Sequence, residues 1–78
     1  MAKKGSQKGT PALYKVIEIV GTSPNSFAEA AKNGITGASK TLRDLRVAEV
    51  ITNDVKIDNG KLTYRTKMKL SFKYHGDD

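Results

Sequence analysis

The chain has 78 residues and no cysteine, and its 14 Lys and Arg against 8 Asp and Glu give a net charge of +6 at pH 7. This length allows one domain at most, which buries only about 60–65% of the surface that the unfolded chain exposes. Disulfides and thiolate metal sites are excluded because they need cysteine, and the single histidine, His75, lies in a polar ending. Association of several copies remains as the way to stabilise so small a core.

Residues 1–12 contain three of the lysines, no acidic residue and few apolar side chains. Such a segment cannot offset the entropy lost on ordering, so we expect a disordered basic arm, with a polyanion-binding arm as the alternative. Without these lysines the balance is 11 against 8, a net charge of +3. No apolar run approaches the roughly 20 residues of a membrane span, and no signal-peptide core follows the first lysines, so we expect a cytoplasmic protein.

The first predicted strand covers residues 13–21 and is apolar on both faces. Val16 and Val20 lie on one side of it, and Leu13, Ile17 and Ile19 lie on the other. Lys15 and Glu18 are the polar exceptions. A strand that is apolar on both faces is covered on both faces in the native protein.

A helix is predicted after the break at residues 21–24, Gly-Thr-Ser-Pro. Ser26 and Glu29 have the spacing of a capping box, which satisfies free N–H groups at a helix start. Apolar residues then recur at helical spacing: Phe27, Ala30, Ala31, Gly34, Ile35, Ala38 and Leu42. Gly34 and Gly37 each cost about 1 kcal/mol relative to alanine, so we expect both to allow close approach to a strand, with a merely flexible helix as the alternative.

A second strand over residues 45–57, a tight turn at residues 58–60, Asp-Asn-Gly, and a third strand over residues 61–74 complete the predicted fold. The third strand has the sharpest alternation in the chain. One of its faces carries Leu62, Tyr64, Thr66, Met68, Leu70, Phe72 and Tyr74. The residues between them form a lysine-rich opposite face.

The β-α-β-β order of these elements predicts an α+β fold. A helix that returns antiparallel to the first strand makes the second strand parallel to the first, and the hairpin then reverses the third. With the third strand in the centre, all neighbours are antiparallel, so we predict a three-stranded antiparallel sheet in the order 1-3-2, packed on one helix. One helix covers one face, and the apolar surface left on the other predicts a homo-oligomer.

Three stretches of the sequence resemble the dodecins, small β-α-β-β proteins: YKVIEIVGTSPNSF, ASKTLRDLRVAEV and TYRTKMKLSFKY. The resemblance covers about residues 13–74, which we interpret as a dodecin-like domain followed by a polar tail at residues 75–78. It implies a hollow homododecamer built from tetrahedrally arranged trimers.

The best-known dodecins store or sequester flavin, and two of their flavin contacts are replaced in this chain. In those proteins a tryptophan after the Leu-Arg pair stacks on the flavin ring, and a glutamine after the third-strand tyrosine hydrogen-bonds its edge. Here Val47 follows Arg46, and Arg65 follows Tyr64. The resemblance implies that these four residues occupy the ligand-pocket positions. Valine has no aromatic face, so the resemblance implies that ordinary flavin binding is weakened or lost. A flavin-storage dodecin that uses other pocket contacts is the alternative.

The stretches RVAEV and TYRTK resemble the calcium dodecin branch, which lacks the tryptophan. Calcium takes about 6–8 oxygen ligands, and the sequence has neither an EF-hand loop nor a dense carboxylate cluster. A calcium site must therefore be sparse or shared between subunits. Glu18, within the apolar first strand, and Glu49, near the position of the missing tryptophan, are the candidate metal ligands. An interface ion pair with Arg46 or a lysine is the alternative role for each.

The sequence shows no Ser/His/Asp or Cys/His arrangement and no acid pair at recognisable spacing, so we expect no enzymatic activity. The lysine-rich strand face and the basic arm allow one more alternative, a nucleic-acid-binding module. The aromatic residues of that strand point the other way, which removes the stacking platform of single-strand binders. We therefore expect the chain to bind further copies of itself and a small ligand or ion, with calcium favoured over flavin. We expect it to bind neither nucleic acid nor a membrane.

Overall fold

The computed structural model describes residues 13–73; the predicted basic arm, Tyr74 and the polar tail lie outside the described residues. The elements are β1 (Tyr14–Ser23), α1 (Phe27–Ser39), β2 (Leu45–Asp58) and β3 (Lys61–Lys73). The three strands form one sheet in the order β1-β3-β2, and both neighbouring pairs are antiparallel. The predicted α+β class, element order and central third strand are confirmed. No helix among the described residues is long and apolar enough to cross a membrane.

The helix α1 packs on one face of the sheet, mainly over β1 and β3. The fully buried side chains between the helix and the sheet are few: Ala30, Met68 and Leu70, with the polar Ser23 and Thr66. From Arg65 to Leu70, exposed and buried residues of β3 alternate strictly, as the sequence pattern predicts. β2 extends beyond the helix, and all of its residues after Leu45 are exposed in the single chain.

Two glycines allow α1 to approach β1 closely. A Cβ on Gly21 would overlap the carbonyl oxygen of Ala30, and one on Gly34 would lie 2.8 Å from Met68 Cε. The close approach predicted for Gly34 is confirmed. The same prediction for Gly37 is wrong, because a Cβ there would have no heavy atom of the chain within 4 Å. Gly37 lies instead beside an open groove of about 330 Å³ between α1 and β1.

Ser26 is the N-cap of α1, and its hydroxyl accepts a hydrogen bond of 3.0 Å from the backbone N–H of Glu29. The Glu29 carboxylate does not complete the capping box in the usual way, because it accepts hydrogen bonds from Ser23 Oγ and Asn25 Nδ2. The backbone N–H of Ser26 donates to Ser23 Oγ instead. Ser23 therefore links the buried end of β1 to the helix start.

The helix ends at Ser39, earlier than the periodicity predicts, and Leu42 lies beyond it. The backbone N–H groups of Thr41 and Leu42 both donate to the Ala38 carbonyl, at 3.1 and 3.0 Å, so the chain leaves the helix in a tight turn. It then enters β2 after Asp44, whose φ is 60°.

β2 and β3 form the predicted hairpin. Asn59 and Gly60 have φ values of 51° and 77°, which are typical of the type I′ turn that Asn-Gly favours. β2 also contains two bulges, where Arg46 and Ile51 have no direct partner on β3. Each bulge inserts one residue and locally disrupts the side-chain alternation.

Candidate functional site

Most of the predicted site residues lie on the side of the sheet away from α1, which we call the outer face. Directly paired residues of antiparallel strands share a face, with Cβ atoms about 4.5–5.5 Å apart. The outer face therefore comprises three columns: Val16, Glu18, Val20 and Thr22 on β1, Arg65, Lys67, Lys69 and Ser71 on β3, and Val47, Glu49, Thr52 and Asp54 on β2.

Glu18 and Glu49, the two predicted metal ligands, lie in one row of the outer face. Glu18 is directly opposite Lys69 on one side, and Glu49 is directly opposite Lys69 on the other. The backbones of the two glutamates are separated by two strand spacings, about 10 Å. The structure thus places both acids on one surface, with Lys69 between them. The sequence alone did not identify this lysine as their neighbour.

The two glutamates differ in their partners. Glu18 Oε1 lies 3.5 Å from Lys67 Nζ, and about half of each side chain is exposed. An exposed ion pair of this length is weak. Within residues 13–73, the side chain of Glu49 has neither a hydrogen bond nor an ion pair. The carboxylate of Glu49 is therefore available to bind a ligand, and that of Glu18 is held only by a weak ion pair.

Residues 13–73 of a single chain provide too few side-chain ligands for a metal ion. Across the described part of the chain, no group of three or more His, Cys, Asp and Glu residues could hold a metal together. Carboxylate oxygens suit calcium, but two carboxylates fall short of the about 6–8 oxygens that it takes. A calcium site on the outer face would need further oxygen ligands, from water or from other copies of the chain.

Arg65, a predicted ligand-pocket position, is bound by Asp54, its direct partner on β2. Arg65 Nε donates to Asp54 Oδ1 at 2.6 Å, and Nη2 donates to Oδ2 at 2.9 Å. These hydrogen bonds lower the pKa of the Asp54 carboxyl and raise the pKa of the Arg65 guanidinium. Both side chains are about half exposed, so the pair contributes little to stability, but it fixes the direction of the guanidinium.

Val47 lies on the outer face opposite Ser71 and is 59% exposed. Arg46 occupies the bulge just before it and has no hydrogen bond or ion pair within residues 13–73. A cavity of about 190 Å³ lies between α1 and the start of β2, lined by Ile35, Leu45, Arg46, Val47, Ala48 and Leu70.

The four predicted ligand-pocket positions do not meet within one chain. Tyr64 lies on the helix side, where its ring contacts Phe27 edge to face at a centroid distance of 5.1 Å. Val47 and Arg65 share the outer face, but the partner of Val47 on β3 is six residues from Arg65, about 20 Å along the strand. A small ligand that contacts both positions would have to contact two copies.

Two cations on the lysine-rich side of β3 form ion pairs with acids on its neighbouring strands. Lys67 pairs with Glu18, Arg65 pairs with Asp54, and Lys69 lies between two glutamates. The residues of each pair are distant in sequence, so only the strand register reveals which cation each acid faces, and the role of Asp54 was missed. These ion pairs weaken the basis for the nucleic-acid-binding alternative.

The chain matches the sequence profile of the Dodecin family over residues 13–75. It is also 48% identical over 63 residues to the calcium dodecin of Mycobacterium tuberculosis, covering 80% of this chain and 89% of that protein. This chain belongs to the dodecin family. The predicted family membership is therefore confirmed.

Solved dodecin structures have the same fold as this chain. A crystal structure of the M. tuberculosis calcium dodecin, described as having a novel calcium-binding site, matches with a TM-score of 0.77 at 45% identity, covering 85% of this chain and 96% of that one. The dodecin of Streptomyces davaonensis has a TM-score of 0.79 at 34% identity, with coverages of 85% and 98%. That of Streptomyces coelicolor has a TM-score of 0.80 at 35% identity, with coverages of 86% and 97%.

Dodecins form homododecamers, and they are non-enzymatic proteins that bind flavin or calcium. The prediction that this dodecin is not an enzyme agrees with the family. The predicted hollow dodecamer is likewise consistent with family membership.

Proposed function

We propose that this dodecin is a homododecamer, built from trimers, that binds a small ligand or ion, with calcium as the favoured ion and ordinary flavin binding weakened or lost. The observation that carries the proposal is Glu49. It is an exposed carboxylate with no partner in residues 13–73, and it lies on the outer face two positions from Val47. The similarity to a protein named calcium dodecin supports the choice of ion.

The apolar residues of the outer face support assembly. Val16, Val20 and Val47 are between 54% and 59% exposed in the single chain. Apolar side chains grouped on one sheet face are typical of an interaction surface, and closed symmetry is the usual way to cover such a surface with identical copies. Assembly through this face would also bring together acids from different copies.

Calcium would be held by the carboxylate oxygens of Glu49 and, once it leaves Lys67, of Glu18. A bound calcium ion would neutralise these acids. The remaining oxygen ligands would come from water or from other copies, because calcium accepts carboxylates, carbonyls and water in one coordination shell. Lys69 would have to move aside, since it lies in the same row as both acids.

The flavin alternative has less support on the outer face. Val47 offers no aromatic surface for stacking, and the donors of Arg65 nearest Asp54 are already used.

The proposal is tested by calorimetric titration of calcium into the chelator-treated assembly, with native mass spectrometry to establish the dodecamer. We expect calcium to bind, and Glu49→Gln to weaken binding by about tenfold or more. Asp58→Asn is the matched control, because it removes an exposed acid from the same strand at the hairpin turn. No calcium binding by the native chain, or equal binding by Glu49→Gln, rejects the calcium proposal. Riboflavin quenching at low concentration would favour the flavin alternative.

A further inference from the structure

Asp54 occupies the hydrogen-bonding fork of Arg65 on the outer face. The Nε–H group and one N–H of Nη2 donate to the two oxygens of a single carboxylate, at 2.6 and 2.9 Å. This bidentate arrangement is the one in which arginine recognises a free carboxylate or phosphate. The Asp54 carboxylate therefore stands where an external oxyanion would bind.

The neighbours of Arg65 are also suited to an oxyanion. Thr22 is its direct partner on β1, and Lys67 lies two positions further along the same face of β3. A hydroxyl and an ammonium group both donate hydrogen bonds to oxyanions. Lys67 is held by Glu18 at 3.5 Å, a longer contact than either of those that Asp54 makes. Asp54 is thus the acid that most directly occupies this cationic position.

We propose that Asp54 sets the charge specificity of the outer face. Its carboxylate acts as an internal ligand of Arg65 and closes this position to oxyanions such as phosphates and carboxylates. Glu49, an acid of this face whose carboxylate has no partner in residues 13–73, is then left to bind a ligand, so the face selects cations. This inference rests on the proposed function, because it explains why a cation is preferred.

The two positions are separate enough to be tested independently. The partners of Glu49 and Asp54 on β3, Lys69 and Arg65, are four residues apart, about 13 Å along the strand. A substitution at Asp54 therefore leaves the proposed calcium ligands in place. Because the ion pair is half exposed, we expect its loss to leave the fold intact, and native mass spectrometry of each variant is the check on assembly.

The test is a calorimetric titration of inorganic pyrophosphate at low salt into the full chain and into Asp54→Asn. The substitution keeps the shape of the side chain and removes its charge. We expect no measurable binding by the native chain, and binding by the variant that is at least about tenfold tighter than the weakest binding the titration detects. The gained binding should weaken as salt is raised, because the contact is exposed and ionic.

Two further variants assign any gain to Arg65. Asp58→Asn removes the same charge from the same strand, but its partner is Lys61 at the hairpin, so we expect no gain. Adding Arg65→Gln to Asp54→Asn should abolish the gain. Pyrophosphate binding that is no tighter in Asp54→Asn than in Asp58→Asn, or that survives Arg65→Gln, overturns the inference.

Calcium titration of the native chain separates this inference from the proposed function. Calcium binding without a pyrophosphate gain in Asp54→Asn rejects the role of Asp54 and leaves the calcium proposal standing. A pyrophosphate gain without calcium binding rejects the calcium proposal, and supports the masking of Arg65 by Asp54.

Discussion

Gly21 on β1 and Gly34 on α1 lie against each other, so that a Cβ on Gly34 would come within 3.1 Å of the Gly21 Cα. This contact sets the distance between the helix and the sheet. It also places Gly34 over Met68, which is fully buried.

Gly34→Ala should destabilise the protein, whereas Gly37→Ala should not. The added methyl at Gly34 overpacks the core, which costs about 1–3 kcal/mol against a gain of about 1 kcal/mol in helix propensity. Gly37→Ala meets no atom of its own chain and should gain up to about 1 kcal/mol. Urea unfolding of both variants measures the difference. Destabilisation by Gly37→Ala would mean that another copy fills the groove beside it.

Val47→Trp should restore part of the flavin affinity of the family. An aromatic stacking contact is worth about 0.5–1.5 kcal/mol, or up to about tenfold in affinity. Riboflavin fluorescence quenching measures the gain. Val20→Trp is the control, since Val20 is an exposed valine of the same face but lies on β1. If Val47→Trp gains nothing over this control, the pocket has changed beyond one side chain.

Ser23→Ala should lower the free energy of unfolding by about 1–3 kcal/mol, the cost of leaving buried polar groups unpaired. The buried Ser23 hydroxyl accepts from the backbone N–H of Asn25 and donates to Glu29. Ser39→Ala is the control, because the Ser39 hydroxyl is exposed and bonds only within the end of its helix. Chemical denaturation of the two variants gives the comparison. Equal stability of both would show that Ser23 does not hold the helix start to β1.

Acidification should destabilise the protein partly through Glu29. Hydrogen bonds from Ser23 and then Asn25 lower the pKa of this carboxyl below its ordinary value of 4.5. Its contribution is therefore complete above that value and is lost as the pH falls through the lower pKa of the folded state. Urea unfolding between neutral and acidic pH should show a smaller acid-induced loss in Glu29→Gln than in the native chain. An equal acid-induced loss in Glu29→Gln and in the native chain would reject this role of Glu29.

The sequence pattern was sufficient for β3 and its hairpin, because strict alternation and an Asn-Gly turn are both local features. It was not sufficient for β2, where the bulges at Arg46 and Ile51 interrupt the alternation. The partners of Arg65 and Lys67 were equally hidden, since they depend on the register between distant strands. A glycine in a helix shows that no side chain is present there, but it does not show whether another element lies close to that position. The sequence therefore could not distinguish Gly34, which contacts β1, from Gly37, which does not.

The bulge at Ile51 gives β2 two halves that are out of phase. Glu49 and Asp54 are an odd number of positions apart, yet both lie on the outer face, because the extra residue between them corrects the parity. Loss of that one residue would exchange the inward and outward surfaces of half a strand, while the turn and the strand order stayed the same. Deletion of Ile51 alone would therefore be enough to change which charged side chains lie on the outer face.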